Sequence, residues 1–476
     1  MNLKKEKVLT FLLLPIFIAS CKNNENKSKL NATDIKWEQC DNDTNSTRIR
    51  CSYIDVPMNW NDSKSKKIKI KFMKIATKDN NPNSQTLFFN PGGPGGSAIE
   101  IGKKLINSDF ANNFNIIAVD PRGYNEIKCN QNNLPSKLIA ETEDEFEKIT
   151  KQSLEYINSC YDLSGDIINY IDTKQSAHDL DAIRKILNLE KINFLGVSYG
   201  THLGATYAEL FPNNIGKLIL DSVANQGILT DDRVRIKANE IKNQYNLFIN
   251  WCKNSKKCAL NSEPNLEQFL NNFLSKDYHL IELKKIYKEE IKEFVLNEII
   301  DYRWIDLSKF LKNYETTKNN VSQINHNITI LTNCLEIPKE EFTFSKYLNL
   351  RTKSNNIEPI FGNHLVEIKI GLLCSKWSRT GLHEIKKYNI NPNQQALILN
   401  SENDARTPKE NAVNLLNQIP LGRLLTSKEP GHGVFFRTCV KENIFNYLNN
   451  NILPNNYTLC EEKTLEIDKS FSLKVF

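Results

Sequence analysis

No Cys-x-x-Cys pair occurs among the eleven cysteines, which argues against a zinc ribbon or a thioredoxin-type redox site. The one glycine-rich stretch, residues 91–97, lacks the Gly-Lys-Ser/Thr ending that nucleotide phosphates call for. The net charge is only +6 on 476 residues, and lysine and asparagine runs such as 61–67 carry no interleaved aromatics. Such runs read as solvated loops and strand ends, so no nucleic-acid partner is expected. Beyond the N-terminus there is no apolar stretch long enough to span a bilayer, and no internal repeat. Nothing implies a metal or a cofactor. What remains is an ordinary globular composition, 40% hydrophobic and 25% charged, in a chain long enough for one large domain with a sizeable insertion or for two domains.

Lys4, Lys5 and Lys7 precede an apolar run at 8–19, the charged and hydrophobic regions of an export signal. The run ends in Ile18-Ala19-Ser20-Cys21, which resembles the lipobox of bacterial lipoproteins. That resemblance implies a signal peptide over 1–21, lipid attachment at Cys21, and an extracytoplasmic protein held at a membrane through a flexible tether over 22–36. Ten cysteines are left, an even number in an exported chain, and a disulfide framework follows. Neighbours pair in chain order: Cys40 with Cys51, Cys129 with Cys160, Cys252 with Cys258, Cys334 with Cys374, and Cys439 with Cys460.

Residues 67–72 alternate polar and apolar, as a half-buried strand does, whereas 86–89, 114–119, 192–195, 217–220 and 396–399 are short apolar runs suited to strands buried on both faces of a parallel sheet. Helical patterns at 176–187 and 201–210 flank the run at 192–195. Strands alternating with helices give an α/β fold. From 225 to 388 the pattern turns to charged, amphipathic segments such as 266–274 and 290–300, read as a mainly helical cap. It interrupts a core whose first part is 37–224 and whose last is 389–476.

Gly196-Val197-Ser198-Tyr199-Gly200 stands between that strand and helix, the setting a nucleophile elbow requires. A serine hydroxyl needs a base, itself oriented by a carboxylate, in the chain order Ser, acid, His. Of the seven histidines only His432, in Gly431-His432-Gly433, lies beyond the strand read at 396–399; His202 could line the pocket from the helix behind Ser198. Glu402, Asp404 and Glu410 follow that strand. Asp404 is the expected acid and Glu402 the alternative; Glu410 falls in the first turn of a helix for which Thr407 would be the cap and Pro408 the first residue. The loop Pro91-Gly92-Gly93-Pro94-Gly95-Gly96-Ser97 suits half of an oxyanion hole, with Gly93 and Tyr199 as the two N–H donors.

These motifs, with Asp120-Pro121-Arg122-Gly123, Leu220-Asp221-Ser222-Val223 and Asp404-Ala405-Arg406-Thr407-Pro408, resemble the secreted tripeptidyl aminopeptidases related to prolyl aminopeptidase. The stretch from Gly431 through Cys439 and Tyr447-Leu448 to Cys460 is similar to that family's C-terminal module. The resemblance covers roughly Trp37 to Cys460. It implies an α/β-hydrolase fold with a mostly parallel sheet and a helical cap insertion, with Ser198 as nucleophile, Asp404 as acid and His432 as base. Asn90 departs from the His usual in the prolyl aminopeptidases, and Glu336 stands where this family commonly has Asp.

The expected function is a serine exopeptidase that releases residues or short peptides from peptide N-termini through an acyl-enzyme. Alternatives are a carboxylic ester hydrolase of esterase or lipase type, or a non-catalytic binding lipoprotein on the same fold. An exopeptidase needs a carboxylate for the free ammonium of its peptide substrate. Glu336, two residues after Cys334 and its expected bridge to Cys374, is the first candidate, although the plainer reading of a cap acid is a solvated surface group. Glu289, Glu290 and Glu293 form a charge run of the kind that faces solvent.

Overall fold

The computed structural model describes residues 35–40, 46–81, 83–224, 230–276, 278–280, 284–286, 288–313, 326–336, 342–377 and 387–461. The apolar runs read from the sequence lie side by side as strands. In chain order the strands are β1 (Ile49–Pro57), β2 (Lys67–Ile75), β3 (Thr86–Asn90), β4 (Asn115–Val119), β5 (Ile192–Val197), β6 (Ile215–Asp221), β7 (Tyr278–Leu280), β8 (Lys284–Ile286), β9 (Gln395–Ser401), β10 (Leu421–Ser427) and β11 (Thr458–Cys460). Nine of them form one sheet in the order β1-β2-β4-β3-β5-β6-β9-β10-β11. β2 is antiparallel to both β1 and β4; every other neighbouring pair is parallel. The central strands are buried on both faces, which is why they read as unbroken apolar runs.

Parallel strands share one C-terminal edge, and open α/β sheets bind their ligands there. Ser198 directly follows β5, Asp404 follows β9 and His432 follows β10. The last buried strand before His432 is thus β10 and not the strand at 396–399: one further β-strand and the helix Lys409–Leu416 separate the two.

Between β6 and β9 lie the helices Thr230–Asn254, Leu266–Leu274, Lys288–Ile300, Trp304–Asn313, His326–Glu336, Phe344–Ile357 and Val366–Cys374. Most of them share a second core around Phe248, Trp304, Leu307 and Phe361, which Phe146 and Ile149 join from outside the insertion, whereas His326–Glu336 packs Ile328, Leu331 and Leu335 into the core under the sheet. The short antiparallel pair β7 and β8 interrupts the helices. Among the described residues no helix is long and apolar enough to cross a membrane.

All five disulfides join neighbours in chain order, as expected: Cys40–Cys51, Cys129–Cys160, Cys252–Cys258, Cys334–Cys374 and Cys439–Cys460. Cys334–Cys374 ties two cap helices together, and Cys439–Cys460 ties the helix Thr438–Asn450 to β11. Cys21 lies outside the described residues.

Candidate active site

Ser198 has φ +57° and ψ −124°, a conformation costly for any side chain other than glycine, at the junction of β5 and the helix Tyr199–Leu210. The turn is tight enough to dictate its neighbours. A Cβ on Gly196 would stand 2.2 Å from the Gly200 oxygen, and one on Gly200 would stand 2.5 Å from the Asn90 oxygen. Both motif glycines are therefore required by close backbone approach. The strain lifts the serine out of the sheet, and Tyr199, the first residue of the helix, brings an N–H that has no partner within the helix.

The glycine loop packs against this elbow. The Asn90 side chain accepts the Gly92 N–H at 2.9 Å, and a Cβ on Gly92 would lie 2.9 Å from that of Ser198. With the Gly92 N–H consumed, the next amide along the loop is that of Gly93, the expected partner of Tyr199. Asp120 fastens the far end of the loop by accepting from the Ser97 hydroxyl at 2.8 Å and the Ile99 N–H at 3.0 Å.

His432 Nδ1 lies 2.9 Å from Asp404 Oδ2 and 3.1 Å from Oδ1. Asp404 is only 1% exposed and also accepts from the Arg406 and Thr407 amides and the Thr407 hydroxyl, each at 2.9 Å. Burial opposes its ionisation; the attraction of His432, its hydrogen bond and the Thr407 donors outweigh that and hold the carboxyl below its usual range. Thr407 does not cap the following helix: Pro408 is the N-cap and the helix starts at Lys409, so the threonine hydroxyl is spent on the acid. Glu402 faces the other way, one-third exposed and ion-paired to Lys409 at 2.5 Å. Glu410 lies in the first turn of that helix, as read.

Glu336 is not a surface residue. At 3% exposure it ends the cap helix His326–Glu336, and its Oε1 accepts the Thr173 N–H at 2.6 Å and the Thr173 hydroxyl. The same hydroxyl lies 2.6 Å from that of Tyr199. His202, from the helix behind Ser198, brings Nε2 to 3.4 Å from Glu336 Oε2 and Nδ1 to the Tyr388 hydroxyl. Glu290 is exposed and Glu293 pairs with Lys369; the side chain of Glu289 lies outside the described residues.

Residues 85–437 match the alpha/beta hydrolase fold family. The chain belongs to that family. Within it, the chain is 26% identical over 409 residues to a tripeptidyl aminopeptidase of Streptomyces lividans, covering 76% of this chain and 74% of the relative. It is 23% identical over 424 residues to the serine protease Hip1 of Mycobacterium tuberculosis, covering 79% and 80%. A solved hydrolase from Pseudomonas aeruginosa PA01 aligns over 88% of this chain and all of its own at 10% identity, with a TM-score of 0.34.

This α/β-hydrolase clamps its cap onto the loops of the site through residues that sequence reasoning missed. Tyr302, at φ +57°, donates its hydroxyl to the Asn403 carbonyl at 2.9 Å. Arg406 pairs with Asp301 at 2.5 Å, and Lys237 donates to the Arg406 carbonyl at 2.7 Å. Thr329 reaches the Pro94 carbonyl of the glycine loop. On the cap side, Lys237, Asp301, Tyr302 and Thr329 belong to no recognisable motif. The positive φ at a tyrosine and the partners over 100 residues away are visible only in the fold.

Proposed function

We propose that the protein is a serine exopeptidase of the cell envelope that removes residues or short peptides from peptide N-termini. Ser198 attacks the scissile carbonyl, His432 takes the hydroxyl proton and delivers it to the leaving amine, and water then releases the acyl group by the reverse path. Asp404 holds the imidazole with Nδ1 toward itself and stabilises the imidazolium. The Tyr199 and Gly93 amides receive the oxyanion. The observation that carries this reading is the hydrogen-bonded Asp404–His432 pair on the same sheet edge as a strained, elbow-borne serine. The names of the two relatives, a tripeptidyl aminopeptidase and a serine protease, favour peptides over simple esters as substrates.

An exopeptidase must read the free ammonium, and in this proposal Glu336 does so. Its support is position: it is buried two hydrogen-bonded steps from Tyr199, with Oε1 engaged by Thr173 and Oε2 on the side of His202. The parent enzyme is expected to cleave free-amine peptides and to leave their N-acetylated forms nearly untouched. Glu336→Gln should raise KM for the free peptides by about tenfold or more, since a charge-assisted hydrogen bond contributes about 1.5 to 3 kcal/mol, with little effect on a small neutral ester. Equal cleavage of free and acetylated peptides would remove the exopeptidase reading; equal losses on peptide and ester would remove Glu336 alone.

The envelope location rests on the export signal, the lipobox resemblance and the disulfides. Cys21→Ser is expected to abolish acylation and move the protein from the membrane to the soluble fraction, because a lipid chain contributes about 0.8 kcal/mol per buried methylene. Fractionation of metabolically lipid-labelled cells tests it; unchanged membrane association rules out the anchor.

A further inference from the structure

β6 ends in Asp221, a carboxylate with 0% exposure that the proposed chemistry does not use. Burial pushes its carboxyl up to about 6 despite several donors, so its presence is not explained by comfort in that environment. What it touches is specific. Its carbonyl accepts the Ser198 N–H at 2.9 Å. Its Oδ2 accepts the Val434 N–H at 2.7 Å and the Phe435 N–H at 2.9 Å, the second and third amides beyond His432. The next residue, Ser222, sits at φ +55° and takes the first of those amides, Gly433, on its hydroxyl at 2.8 Å. The Ser222 N–H in turn bonds the Leu399 carbonyl of β9, the strand that leads to Asp404, at 2.9 Å. One dipeptide is thus bonded to the elbow, to the histidine loop and to the strand of the acid.

Up to Pro430 the histidine loop is held by Arg437, which donates to the Glu429 and Pro430 carbonyls, and by the Ser401 hydroxyl on the Glu429 carbonyl; around His432 itself the backbone anchors are fewer. Residues 428–434 form no helix or strand, and Gly431 and Gly433 adopt φ +132° and +78°. On the N-terminal side of His432 the Gly431 N–H bonds the Asn403 carbonyl at 3.1 Å; on the C-terminal side the three consecutive amides go to Ser222 and Asp221. The titratable groups facing Asp221 are His432 and Arg437, and Arg437 is also in the field of Glu429 and Asp404.

We infer that Asp221, with Ser222, is a positioning residue that sets the His432 imidazole against Ser198 by pinning the histidine loop to the strand from which the elbow's own N–H is held. The inference rests on Ser198 and His432 acting as nucleophile and base. It concerns alignment, so it bears on kcat and leaves ground-state binding alone, and misalignment on the ångström scale costs about 100-fold.

The test uses the full chain, a p-nitrophenyl ester and a fluorophosphonate probe. Asp221→Asn keeps an oxygen acceptor for the Val434 and Phe435 amides, and Asp221→Ala removes it. The asparagine variant should retain kcat to within about tenfold, while the alanine variant falls about 100-fold at nearly unchanged KM, with fluorophosphonate labelling slowed in parallel. Ser222→Ala, which removes a single pin, should lower kcat several-fold at an unchanged melting temperature and decides the matter if Asp221→Ala does not fold. Equal losses in the asparagine and alanine variants, a loss confined to KM, or parental kcat in Ser222→Ala overturns the proposal. Failure of the underlying reading looks different: the parent enzyme itself is then not labelled at Ser198.

Discussion

Alanine at Ser198 or at His432 is expected to lower turnover by about a millionfold with the fold intact, the loss typical when one member of a hydroxyl and imidazole unit is removed. The two residues act as one nucleophile, so either deletion should cost nearly as much as both together. Asp404→Asn should cost about 10⁴-fold, because an amide in that place no longer fixes the imidazole tautomer. Its neighbour offers a control. Glu402 is one-third exposed and spends its charge on Lys409, so Glu402→Gln should stay close to the parent. Turnover normalised to correctly folded protein by circular dichroism checks the series. Near-parental activity in His432→Ala sinks the assignment, and a severe Glu402→Gln beside a mild Asp404→Asn would transfer the acid role.

The largest effect on stability is expected in the loop that follows β4. Arg122 is 1% exposed and meets Asp179 through two hydrogen bonds of 2.8 Å, while its remaining donors reach the carbonyls of Pro57, Met58 and Tyr170. Asp179 also accepts the Trp60 indole N–H at 2.8 Å. Asp179→Ala leaves a buried guanidinium without its counter-charge, which costs about 3 to 5 kcal/mol. Denaturant unfolding of parent and variant should show an unfolding free energy lowered by that amount, read as a lower midpoint at an unchanged slope. A loss under about 1 kcal/mol would mean that the guanidinium is re-solvated in the variant.

The parts of the fold that the sequence made legible are those where burial alone decides the pattern. The runs at 86–89, 114–119, 192–195, 217–220 and 396–399 are sheet strands because both of their faces are covered. β1 escaped notice because it carries Arg50, Ser52 and Asp55, and its polar Ser52 is buried with its hydroxyl on the Lys36 carbonyl. β10 opens on an exposed Leu421 followed by Gly422 and Arg423, and β11 has three residues, too few for any periodicity. In the candidate site, the pairing of His432 with Asp404 and the elbow at Ser198 follow from chain order and local motif. The roles of Thr407, Asp221 and Tyr302 do not. Thr407 stands three residues from Asp404 but reads as a helix cap; for Asp221 and Tyr302, distance in sequence says nothing of distance in space, Asp221 and Val434 being 213 positions apart.

Both outermost strands of the sheet carry a half-cystine, Cys51 on β1 and Cys460 on β11. Cys51 binds the 35–40 segment across the open side of β1, where Glu38 also pairs with it, and Cys460 ties the three-residue β11 to the helix Thr438–Asn450. Unpaired strand borders are templates on which other chains add. The bridges therefore work as guards against polymerisation, and a reducing compartment would lift both guards at once. Loss of solubility on reduction should then precede loss of the central sheet, since no bridge involves a strand between β2 and β10 in that order.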